Sequence, residues 1–221
     1  MSYPPVAIVW PCPVSVEVYV ASGRGVVAPR LACPACRVAM GFWSGYQRSV
    51  RVGGACFRLW VARARCAPCG VSHALVPSFL LVGRLDVVAT IGRVVEVVTT
   101  GGRGGVRPVA TEVDVPHTTA RDWVRVFGAR AAVLWSGFAA LSVELGGDPP
   151  KRWPPDMAAA AVTAMRCAHD AAEVRQPGLT PGLWGFVALV CGGMLIRANT
   201  DPPWTVFGKR RFIPPIPFTG P

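Results

Sequence analysis

Eight cysteines punctuate the chain, and four of them form two Cys-x2-Cys pairs, Cys33 with Cys36 and Cys66 with Cys69, separated by 29 residues. Three chemistries are open to such thiols. A redox dithiol needs one pair at the N-terminus of a helix that follows a strand, where the helix end lowers a thiol pKa, and two pairs flanking a hairpin suit that poorly. Four thiols that never meet are a second alternative. The third is a doubled metal knuckle: Zn2+ takes four thiolates in a tetrahedron, and a structural site closes all four positions with protein ligands. Pro34, Pro68 and Gly70 are the turn residues that such tight bends use. The spacing therefore predicts a zinc site made of four cysteines, structural because no position is left for water. His73, at Cys69-x3-His, is a fifth donor that can replace one thiolate; beside four cysteines it is expected as a residue behind the ligands or on the surface. Cys12, Cys56, Cys167 and Cys191 stand apart and are expected to be small buried hydrophobes without a role.

To bring the pairs together the intervening chain must double back. The stretches "FWSGYQRSVRV" and "CFRLWVARARC" alternate aromatic and β-branched residues with arginines, the pattern of two strands. A unit of about 50 residues has too little core to fold unaided, so metal binding would supply much of its folding free energy. Arg48, Arg51, Arg58, Arg63 and Arg65 lie in these strands near Trp43, Tyr46 and Trp60, a mixture suited to tracking phosphates and stacking bases.

Helical spacing follows. Leu85, Val88, Ile91, Val95 and Val98 make one stripe, ending at the glycines of "GGRGG". A short second helix is expected from Arg107 or Pro108 to Val113, and Ala110 permits a close crossing. A third helix is expected to start at Thr119, with Asp122 completing a capping box. On it Ala120, Trp123, Val124 and Phe127 face inward, and Thr118, Arg121 and Arg125 face outward, placed for a DNA major groove. The alternative is a plain amphipathic hairpin with solvated arginines.

The formal net charge is +11, and 21 of the 23 basic residues are arginine, which grips phosphate and guanine in bidentate fashion. A GC-rich genome accounts for part of that bias. Double-stranded DNA is the expected partner, through the outward residues above with Arg63, Arg65, Arg103 and Arg107. Prolines at positions 4, 5, 11 and 13 argue against an export signal. The strongest apolar run, "LWGFVALVCGGMLI", is 14 residues long, short of the roughly 20 that span a bilayer, so no membrane partner and a cytoplasmic, nucleoid-associated location are expected.

The expected organisation is α+β: residues 1–30 as a leader or edge strand, with a strand at "VSVEVYV"; 31–82 as a zinc ribbon; 83–130 as a three-helix helix-turn-helix module; 131–200 as a helical bundle; 201–221 as a basic, proline-rich tail. Within the bundle, helices are expected over 130–144, 156–175 and from Thr180 to about Ala198. Only 12 acids are present, and those beyond residue 130 fall on helices and proline loops, not on the strand ends where a two-metal nuclease gathers carboxylates. His73, His117 and His169 have no acid or cysteine partner arranged in sequence. No catalysis is expected.

The segments "CPAC", "FWSGYQRSVR", "ARARCAPCGVSHALVP" and "VPHTTARDWVRVF" together resemble the zinc-ribbon plus helix-turn-helix half of transposase-associated proteins, a domain family similar in plan to small DNA-binding proteins of bacterial insertion sequences. The resemblance covers about residues 31–130. It implies zinc on Cys33, Cys36, Cys66 and Cys69, and element or operator DNA on the helix pair. Asp114 departs from it, standing where glycine is common in the turn, and so does the glycine-rich spacer. Two other functions remain open: a zinc-ribbon scaffold whose helical half binds protein, a second copy included, or a DNA-binding subunit of a separate transposase or recombinase.

Overall fold

Gly53 and Gly54 form a two-residue turn, Gly53 at φ 55, as hairpins with the right-handed strand twist require. On either side of it β2 (Gly41–Val52) and β3 (Ala55–Arg65) pair antiparallel from Val52↔Ala55 to Gly41↔Arg65. The structure, a computed structural model, describes residues 7–101 and 105–196. Beyond β3 the chain returns as β4 (Ser72–Pro77), antiparallel to it, and β1 (Ala7–Trp10) adds a parallel edge, giving the order β1-β4-β3-β2. The edge strand is thus residues 7–10. "VSVEVYV", expected as a strand, instead contributes helix α1 (Val16–Ser22). Its alternation yields to a local cap, because the Ser15 hydroxyl accepts from Val18 N–H at 3.3 Å and satisfies a first-turn donor.

Tyr19 of α1 is buried and donates its hydroxyl to the Trp60 carbonyl at 2.9 Å. Trp60 lies flat over the opposite strand, so that a Cβ on Gly45 would sit 2.3 Å from its ring. Below them Val50, Leu59, Val61, Leu75 and Met40 form a small core that also takes in Cys33 and Cys66.

Five helices build the other half: α2 (Val88–Thr99), α3 (Val106–Glu112), α4 (His117–Glu144), α5 (Met157–Arg175) and α6 (Leu183–Val190). α2 starts at Val88, leaving Leu85 outside it and exposed. α4 begins at His117, directly behind Pro116, with no side-chain cap. The capping box expected at Thr119 therefore does not form: proline's fixed φ suits the residue before a helix, and Asp122 pairs with Arg125 instead (2.6 Å). α4 also runs unbroken through residues 130 and 131, where the sequence suggests a change of module. Ala120, Trp123, Val126, Phe127, Ala131, Leu134, Phe138 and Leu141 line its buried side.

α5 covers the helix expected over 156–175, and the Asp156 carboxylate caps it by accepting from Ala159 N–H at 2.8 Å. α6 ends at Val190, short of Ala198, because Gly192 and Gly193 take positive φ. Trp184 of α6 lies on Gly92 of α2, where a Cβ would be 2.1 Å from the indole. By length and composition α4 is apolar enough to cross a membrane; here it is the central helix of a protein core, packed on α2, α3 and α5. The fold is α+β, a four-stranded sheet joined to a helical half.

Arginines of β2 fasten the two halves. Arg51 makes a bidentate pair with buried Asp86 (2.6 and 3.0 Å), while its backbone exchanges bonds with Leu85 O and Val87 N–H. Arg48 donates to the carbonyls of Leu81 and Arg84. Neither is a solvated phosphate tracker, as strand alternation suggests; the partners lie some 35 residues away in sequence, where no local pattern reveals them.

Candidate metal centre and basic surfaces

Each Cys-x2-Cys pair closes as the same tight turn. Cys33 N–H donates to Val38 O and Arg37 N–H to Cys33 O; Cys66 N–H donates to Val71 O and Gly70 N–H to Cys66 O, all at 2.8–2.9 Å. The residue after each second cysteine is left-handed, Arg37 at φ 61 and Gly70 at φ 70. The β3–β4 pairing holds the second turn, and the Ala32↔Ala39 bridge closes the first.

The four Sγ atoms come within 4.8 Å of one another, and those of Cys33 and Cys69 lie 3.7 Å apart. A tetrahedron with Zn–S bonds of about 2.3 Å has S···S edges of about 3.8 Å, so the donor set fits a zinc-sized ion. Thiol chemistry agrees. Burial pushes the Cys33 thiol up, but amide N–H groups of Cys36 and Ala35 and the thiols of Cys66 and Cys69 outweigh it and bring it to about 6. Cys36 is pushed up to about 12, chiefly by sharing with the Cys69 thiol and then by burial. One thiolate forms readily and the next resists, the state that a bound dication relieves. Cys33, Cys36, Cys66 and Cys69 would hold the ion, which would supply a structural cross-link between the turns.

His73 stands outside the sulfur group, wholly buried in β4, so its surface placement is excluded. Cys12 and Cys191 are buried as expected and Cys167 is half-buried. Cys56 is exposed beside the hairpin turn, contrary to expectation, because its strand position faces away from the sheet core.

The residues expected to meet DNA fall into two groups. Thr118, Arg121 and Arg125 are exposed together on the first turns of α4, Arg107 is exposed on α3, and Thr119 is half-buried. Arg103 lies outside the described residues, as does the basic tail at 201–221. Arg63 and Arg65 sit at the far end of the hairpin beside the second knuckle. Arg63 donates to Ser72 Oγ at 2.7 Å, and Arg65 donates to Gly70 O at 3.2 Å while its guanidinium lies 4.8 Å from the Trp43 ring centroid.

The hairpin turn abuts the turn between α3 and α4: a Cβ on Gly54 would lie 2.0 Å from the Asp114 carboxylate. Eleven residues of β3 at about 3.3 Å each put the metal end roughly 35 Å from that junction. Sequence reading missed the Arg51–Asp86 fastening and the Arg65–Trp43 stack. The first had one signal, since Asp86 is the first acid after Glu17. Scans against family models, characterised proteins and solved structures return no match to this chain, so the role of its site follows from its own geometry.

Proposed function

We propose that this chain is a zinc-stabilised, non-catalytic DNA-binding protein related to transposable elements, reading the major groove with the first turns of α4. The observation that carries the reading is the α3–α4 unit. Asp114 at φ 51 makes the left-handed bend between a seven-residue helix and a long one, and the long helix offers Thr118, Arg121 and Arg125 to solvent. A helix of this kind fits the major groove, where arginine reads guanine O6 and N7. Thr119 and Arg107 sit where they would contact the backbone, and Arg103 in the spacer joins them in this reading. Arg63 and Arg65 add phosphate contacts from the ribbon, and the excess of arginine supplies the sequence-independent attraction. The work is done in the cytoplasm, at the nucleoid, with a second copy or a separate transposase as protein partner and no membrane.

A second reading has its own support. Beyond Arg125, and as far as Val143, the exposed side of α4 carries Gly128, Ala129, Ala132, Val133, Ser136, Ala140 and Val143, without a charge, and Arg125 is tied to Asp122. In that reading the ribbon is a scaffold and the helices bind protein. Selection of bound duplexes from a random pool, followed by gel shifts with Arg121→Ala and Arg125→Ala, separates the two. Groove reading requires loss of preference at specific positions by about 1–3 kcal/mol per contact; unchanged preference favours the scaffold.

A further inference from the structure

Residues 18–85 contain nine arginines and no lysine, aspartate or glutamate, yet these arginines do different things. Arg48 and Arg51 are used inside the protein, and Arg24 lies over Trp60 at 4.4 Å. Arg63 and Arg65 are held but not neutralised: each spends a donor on an uncharged oxygen, and neither joins an ion pair among the described residues. A guanidinium has five N–H donors, so most of each remains available in a position already fixed.

Beside Arg65 stands an aromatic surface. The β2–β3 register slips between Phe42 and Ser44, leaving Trp43 as the extra residue, and such bulges re-aim a side chain out of the sheet. Trp43 is 62% exposed with Arg65 over its ring. Tyr46, 41% exposed, pairs with Val61 two residues from Arg63, which places it on the same face of the sheet.

We infer that the metal end of the hairpin binds an unpaired stretch of nucleic acid: a base stacks on the open side of Trp43, and Arg63 and Arg65 hold the flanking phosphates. In a duplex the faces of the bases are covered by their neighbours and only edges are presented. An open indole with one fixed cation over its ring, and a second two residues along the same strand, matches a free base face with its neighbouring phosphates. The charge of the surroundings selects a polyanion over an apolar protein surface. Order at the site depends on the second knuckle, since Gly70 O positions Arg65 and Cys66 follows it in the chain.

This inference rests on the nucleic-acid reading above, and the test separates the two. Fluorescence anisotropy of the zinc-loaded full chain is measured on a blunt duplex and on the same duplex carrying a short single-stranded oligo-dT extension. The extension is expected to tighten binding on the order of tenfold. Trp43→Ala loses that gain while keeping the affinity for blunt duplex, and Trp43→Phe keeps most of it. Trp43→Leu, apolar but not flat, replaces the alanine variant if that one loses zinc. An extension that adds nothing, or a gain that survives in Trp43→Leu, overturns the inference and leaves the duplex reading standing; failure to bind either DNA overturns both.

Discussion

The sheet half and the helical half of this protein solve the problem of stability in opposite ways. In the sheet half, tight turns, positive φ angles and buried cysteines surround a modest core, and the two knuckles bring four sulfurs face to face at the end of the β2–β3 ladder. In the helical half a continuous cluster from Leu81 to Ile196 is assembled from alanine, valine and large aromatics. Small cores rely on cross-links because burial alone barely offsets chain entropy. One chain can thus join a half that gathers four thiols around a metal-sized space to a half held by apolar packing.

The contrast breaks most openly on metal removal. Chelation, or Cys33→Ser with Cys66→Ser, is expected to abolish protection from hydrogen exchange across residues 41–77 and to leave α5 and α6 protected, because structural zinc contributes about 10–16 kcal/mol of apparent binding free energy at neutral pH. Elemental analysis of the untreated chain should give one zinc per molecule. Equal loss of protection in both halves would show that they do not fold separately.

The converse experiment is Trp123→Ala. With 2% of its surface exposed, Trp123 is expected to contribute about 3–5 kcal/mol, seen as a lower denaturant midpoint, while zinc content stays at one.

Between these lies the fastening. Asp86→Ala strands the Arg51 guanidinium against a buried wall, and the expected loss is about 3 kcal/mol, at the low end for a broken buried pair because Arg51 keeps some water contact. Double-mutant cycles with Arg51→Ala should show strong coupling, and both variants should make the melting of the two halves less cooperative.

The smallest effect has the opposite sign. Arg37 holds a left-handed φ that disfavours a side chain by about 1–2 kcal/mol, and Gly70 occupies the equivalent place in the other knuckle. Arg37→Gly regains that strain less the greater freedom of glycine in the unfolded chain, roughly 0.5–1 kcal/mol. The expected outcome is a slight rise in melting temperature confined to the sheet half.

Local signals carried much of this arrangement. The cysteine pairs, the two long strands, the helix over 156–175 and the apolar stripe of α2 were all readable, since each depends on neighbours a few residues apart. What escaped depends on distance. β4, "SHALVP", is buried along most of its length and shows no alternation, so nothing marks it as a strand apart from β1 and β3 on either side. Whether Arg48 or Arg65 reaches solvent is decided by what packs over each end of the hairpin. The boundary expected after Arg130 failed for a related reason: that side chain donates to Met194 O at 2.7 Å, a tertiary contact that no local pattern reveals.

α4 turns this architecture into a lever. Its 28 residues at about 1.5 Å each make a rod of about 42 Å, with no proline inside it to act as a joint. A tilt of about 5° imposed at Val143 would swing Thr118 and Arg121 by about 3 Å if the rod turned about its far end. Whatever seizes the distal end of that helix thereby sets the aim of the proximal one.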